Sequence, residues 1–172
     1  MAFEITVVRG LAYKLGAAAL FIVIGSLLLA LGFEHIGGYK PCMLCLMQRY
    51  AYYASIPALI LALALGSAGR GGWAAFLFFM VAMAFFANAG LGTYHAGAEW
   101  KFWPGPTTCA GDAAALAADA GGLLKQLEAT RVVRCDEAAI RVLGLSFAGW
   151  NVLTSLLVMA MTLRAAFAAR QA

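Results

Sequence analysis

Residues 41–65 read PCMLCLMQRYAYYASIPALILALAL. A CxxC pair, Cys42 and Cys45, opens a run from Leu46 to Leu65 in which Arg49 is the one charged residue. Roughly 20 apolar residues are what an α-helix needs to cross a bilayer, so these thiols stand at the mouth of a membrane helix. A thioredoxin-type motif sits in a βαβ unit, and that setting is excluded here. Three more runs of the same kind lie outward from this one, Leu15 to Phe33, Trp73 to Leu91 and Leu145 to Leu163, each without an acidic residue. The expected fold is an all-α membrane protein: a four-transmembrane-helix bundle forming a single integral domain over 1–172, with loops over 34–45 and 93–144.

Composition agrees. Residues of the set AVILMFWYC make up 64% of the chain and charged residues only 12%, against about 25% charged in an ordinary soluble domain. The net charge of +4 is scattered among apolar runs, which gives no face for nucleic acid. Arg9 and Lys14 precede the first run and Ala30-Leu31-Gly32 resembles a cleavage site, so a signal peptide is the competing reading. The run exceeds the 7–15 residues of a signal core, and we read it as a span.

An even number of spans puts both loops on one face and both termini on the other. Charge does not orient them: the termini and the turn 66–72 hold five basic residues and the loop face holds six, so the positive-inside count is level. In the long loop, Trp103-Pro104-Gly105-Pro106 forbids local helix and presents Cys109 on an extended segment. Beyond it, Ala113, Leu116, Ala120, Leu123, Leu124 and Leu127 recur at spacings of 3 and 4, the pattern of a short amphipathic helix.

All four cysteines, Cys42, Cys45, Cys109 and Cys135, fall in these loops or at a loop–helix junction. Three pairings are open. The local one joins Cys42 to Cys45, and so small a ring is commonly redox-active. Zinc is the rival for four thiols, but the second pair lacks CxxC spacing and no histidine lies nearby in sequence, so no metal is expected. Pro41 suits a helix start, where free N–H groups and the helix dipole favour an anion. Arg49, four residues beyond Cys45 and seven beyond Cys42, shares their helical face. An arginine just inside a membrane is functional by default, and here it suits a polar oxygen of a flat, lipid-soluble electron acceptor such as a quinone. His95, at the end of the third span, is a further candidate for that pocket. Asn88, Asn151 and Ser155 read as interhelical hydrogen-bond partners, and Pro57 as a kink.

The run Pro41-Cys42-Met43-Leu44-Cys45-Leu46-Met47-Gln48-Arg49-Tyr50, Trp103-Pro104-Gly105-Pro106 ahead of Cys109, and Arg134-Cys135-Asp136-Glu137 together closely resemble the bacterial disulfide-bond-formation protein B family, DsbB. The likeness covers nearly the whole chain. It implies an inner-membrane protein with cytoplasmic termini and both cysteine loops in the periplasm. It implies a thiol:quinone oxidoreductase that reoxidises a DsbA-like thioredoxin-fold partner and passes two electrons to ubiquinone or menaquinone. The partner would attack a Cys109–Cys135 disulfide and form a mixed disulfide with Cys109. Cys135 would then attack Cys42, leaving Cys45 against the quinone near Arg49. One departure is Gln48, where the family leads one to expect an acid. The alternatives are a vitamin-K-epoxide-reductase-like protein, whose CxxC comes late in the chain, and a membrane scaffold with structural disulfides.

Overall fold

The structure is a computed structural model that describes residues 2–105 and 135–171, the first eight of these by backbone alone. Cys109 and the amphipathic helix expected over 113–127 lie outside the described residues. Four long helices carry the fold: α1, Ala2–His35; α2, Met43–Ser67; α3, Gly71–Glu99; and α4, Phe147–Gln171. All four are long and apolar enough to cross a membrane. Each packs on two neighbours, α1 on α2, α2 on α3, α3 on α4 and α4 back on α1, which closes a four-helix ring.

Burial decides which face of each helix turns inward. Val23, Leu59, Phe78, Phe85 and Val158 are almost wholly enclosed, among small residues such as Ala19, Ala62, Ala74, Ala82 and Ala165 that let the helices approach. The opposite faces present Phe21, Phe76, Phe86, Leu61 and Leu157, an apolar belt suited to lipid. A polar knot ties three helices inside the bundle. Tyr52 Oη donates to Asn151 Oδ1 at 2.7 Å, and Asn88 Nδ2 donates to Asn151 Oδ1 at 3.3 Å and to Ser155 Oγ at 3.0 Å. These residues do pair between helices, as their positions led us to expect. Interhelical hydrogen bonds in membranes average about 0.6 kcal/mol, with values up to about 1.7. Asn88 makes two, so Asn88→Ala is expected to destabilise the detergent-solubilised protein by about 1 kcal/mol in reversible unfolding.

The helix ends differ from the hydropathy reading in four places, each for a local reason. Helix α1 ends in a glycine turn: Gly38 has φ +72°, and a Cβ on Gly37 would lie 2.7 Å from the Phe33 carbonyl oxygen. Helix α2 begins at Met43 with Cys42 as its N-cap, the Cys45 N–H donating to Cys42 Sγ at 3.3 Å. Pro41 therefore stands one residue outside the cap, and the thiol does the work that serine does in ordinary caps.

Helix α3 runs to Glu99, two turns into the segment expected to be loop, because His95, Gly97, Ala98 and Glu99 are buried against protein rather than lipid. It stops where Lys101 takes φ +63°. The chain then folds back, Trp103 stacking on Tyr94 and donating from Nε1 to the Tyr94 carbonyl at 2.9 Å. Gly97 makes room for that indole, since a Cβ there would come within 2.0 Å of it. The described ends of the long loop meet: Lys101 Nζ is 2.8 Å from Asp136 Oδ2. Leu145 and Ser146, expected to begin the last span, instead form strand β2 (Leu145–Ser146), paired antiparallel with β1 (Arg141–Val142). Leu143 and Gly144, both at positive φ, make the tight turn such a hairpin requires.

Candidate active site

The site forms where the start of α2 meets the end of α3. Cys42 is buried and Cys45 half-buried, with their Sγ atoms 2.8 Å apart as free thiols. From α3, His95 reaches in with Nε2 at 3.6 Å from Cys42 Sγ. Gln48, one turn along α2, donates from Nε2 to His95 Nδ1 at 3.1 Å. Glu99, one turn beyond the histidine, brings Oε1 to 3.6 Å from the same Nε2. All three of these polar side chains are buried.

The thiol of Cys42 is pushed down to about 4, first by the hydrogen bond from Cys45 and then by His95, against the opposing effect of burial. The cap N–H of Cys45 acts in the same sense. In the dithiol state the anion thus belongs on Cys42. Cys135 is disulfide-bonded and 2% exposed, packed with Cys42 and Leu44, and Cys45 and Leu91 line the same cluster. Cys135 therefore shares one buried cluster with the Cys42/Cys45 pair.

Arg49 sits one turn below Cys45, on the face the spacing assigns to it. Its guanidinium is held on α1 rather than at the thiols: Nη1 pairs with Glu34 Oε2, and Nη2 donates to the Ala30 carbonyl at 3.4 Å. Glu34 as the partner of Arg49, Glu99 as the acid beside His95 and Gln48 as the support of the imidazole emerge from the packing of the helices. The i, i+4 spacing of His95 and Glu99 was the available signal for the second of these.

A profile of the family described as Disulfide bond formation protein DsbB matches residues 13–165. The chain belongs to the DsbB family. The match takes in all four cysteines, Arg49 and His95. No curated protein and no solved structure matches the chain. As a member of the DsbB family it is a multi-pass membrane protein of disulfide-bond formation.

Proposed function

We propose that this chain is a thiol:quinone oxidoreductase that reoxidises a DsbA-like dithiol protein in the periplasm of a bacterial inner membrane. The observation that carries the reading is the burial of disulfide-bonded Cys135 in one cluster with the Cys42/Cys45 pair, because exchange between two cysteine pairs needs them side by side.

In the proposed sequence Cys109 is the other half of the Cys135 disulfide. A thiolate of the partner attacks Cys109, forming a mixed disulfide and releasing Cys135 as the leaving thiolate. Cys135 attacks Cys42 of an oxidised Cys42–Cys45 bond. That step forms Cys135–Cys42, breaks Cys42–Cys45 and leaves Cys45 as the thiolate. The partner's second thiol displaces Cys109, so the partner leaves oxidised, and Cys109 restores its bond to Cys135. Two electrons then rest on the reduced Cys42/Cys45 pair.

The residues around Cys45 fit a membrane quinone. Cys45 is half-buried at the start of α2, whose Met43, Leu46, Met47 and Tyr50 are exposed apolar side chains suited to lipid, and Arg49 lies one turn deeper with a donor for a carbonyl oxygen. A quinone supplies a two-electron, two-proton acceptor of high potential, which a partner near −120 mV requires. His95 orients the sulfur pair through Cys42, and Gln48 fixes the ring.

The test is anaerobic quinone reduction by the purified protein with a reduced DsbA-like dithiol as donor. Loss of one quinone per partner disulfide formed supports the reading. No loss with either ubiquinone or menaquinone would return the cysteines to a structural role.

A further inference from the structure

We propose that the reduced Cys42/Cys45 pair, with His95 and Glu99, is a binding site for a thiolate-seeking divalent cation of the zinc type. The sequence lacks a histidine beside the CxxC, but the fold supplies one from another helix, and a carboxylate one turn behind it. The Sγ atoms of Cys42 and Cys45 and a ring nitrogen of His95 all lie within 4.8 Å of one another.

Two edges fit a tetrahedron. Zinc takes sulfur at about 2.3 Å and nitrogen or oxygen at about 2.0–2.2 Å, which sets sulfur and nitrogen about 3.6 Å apart and nitrogen and oxygen about 3.4 Å apart. Cys42 Sγ to His95 Nε2 is 3.6 Å, and His95 Nε2 to Glu99 Oε1 is 3.6 Å. The sulfurs, at 2.8 Å, must separate by about 1 Å through rotation of the Cys45 side chain, and the Glu99 carboxylate, which lies outside the 4.8 Å group formed by the other three, must swing in from His95 toward the sulfurs.

A separate observation points to a ligand. Glu99 has a side chain 5% exposed, and its Oε2 is buried with no hydrogen-bond partner among the described residues. Leaving such an oxygen unsatisfied is costly, and turning the carboxylate onto a cation beside Nε2 would give both of its oxygens a charge to face. Gln48 completes the support. By turning its amide to present the oxygen, it accepts Nδ1–H and leaves Nε2 free to ligate, the arrangement usual behind a metal-bound histidine.

Binding moves no electrons. Cys42 is already the anion, so Cys45 alone gives up a proton and both sulfurs take the ion, whereas a Cys42–Cys45 disulfide offers no thiolate and no site. On the thiol:quinone reading, the ion would hold the pair reduced and block its reoxidation; that consequence rests on the reading, and the binding itself does not.

The experiment is a cobalt titration of the full-length protein in detergent, reduced anaerobically and freed of reductant. The wild type is expected to develop thiolate-to-cobalt charge-transfer absorption that saturates at one ion per chain and is bleached by Zn²⁺. Oxidised protein and Cys45→Ser are expected to show none. His95→Gln and Glu99→Gln are expected to bind at least about tenfold more weakly, since even outer-shell changes cost 10–100-fold. Should Glu99→Gln not fold, Gln48→Leu, which removes the ring's support, carries the same expectation. Zinc should slow maleimide labelling at Cys45 and not at Cys109.

The proposal is overturned if the reduced wild type shows no saturable absorption, if both Gln variants titrate like wild type, or if zinc protects Cys109 alone. Metal-free quinone reduction, measured in parallel, tells the two readings apart. Its absence beside an intact cobalt titration retires electron transfer and leaves the metal site; the reverse result does the opposite.

Discussion

Cys45→Ser is expected to reduce steady-state quinone reduction by at least about a thousandfold, because removal of a single reacting group from a set that acts together costs on this scale or more. The form of the loss is more informative than its size. The variant keeps the disulfide at Cys135, so one equivalent of reduced partner should still be oxidised per chain in a single turnover. No second equivalent should follow, since Cys42 without Cys45 cannot form the bond that Cys135 is to attack. Rapid mixing with labelled reduced partner, quenched in acid, reads both numbers. Multiple turnovers in Cys45→Ser would sink the two-pair relay. A complete absence of the first turnover would show that the two pairs are not independent even in their first step.

Arg49 carries the second large effect. On the quinone reading, the guanidinium gives one charge-assisted hydrogen bond to a carbonyl oxygen, worth about 1.5–3 kcal/mol. Arg49→Ala is therefore expected to raise the quinone KM roughly 10–100-fold, with a smaller fall in kcat. Arg49→Lys keeps the charge and loses the fork that serves both Glu34 and the Ala30 carbonyl, and should fall between. A structural role alone would act differently. Glu34 and Arg49 are 24% and 13% exposed, so removing either unpairs a half-buried charge. Glu34→Gln should then lower stability as much as Arg49→Ala does, yet leave the quinone KM within a few-fold of wild type. Equal KM changes in the two variants would assign the pair to holding α1 on α2 and nothing more.

What the sequence made legible follows the range of each interaction. The spans were visible because lipid demands apolar length, and that demand is local. The CxxC was visible because its residues share one helical turn with Arg49. Asn88, Asn151 and Ser155 were visible as partners between helices because they are polar residues inside apolar runs, whereas the partners of residues at the helix ends were not. His95 lies little more than one turn beyond Gly90 and Leu91, where hydropathy stops being informative, because those last turns of α3 are shielded by α2 and Trp103 and need not be apolar. Gln48 looked like a departure from the family pattern. Only the register between α2 and α3 shows that its amide meets the imidazole, and that the buried acid of this site comes from Glu99. The hairpin before α4 was missed for a different reason: a two-residue strand has no periodicity to detect, and the one sign was a Leu-Gly pair at the turn.

The cap at Cys42 joins chemistry to mechanics. Its sulfur accepts the Cys45 N–H, so the energy that steadies an anion on that sulfur is the same energy that steadies the first turn of α2, and each must respond to the other. Converting the sulfur from thiolate to disulfide replaces a charged acceptor by a weak one, and the helix start should loosen by about the worth of a cap, roughly 1 kcal/mol. The backbone would then report the oxidation state. Hydrogen exchange at the Cys45 amide should be several-fold faster in the oxidised protein than in the reduced one, while amides in the middle of α2 stay unchanged. A fraying first turn would also give Cys42 freedom to turn toward Cys135 when its disulfide must be attacked, and recapping would withdraw that freedom once the pair is reduced.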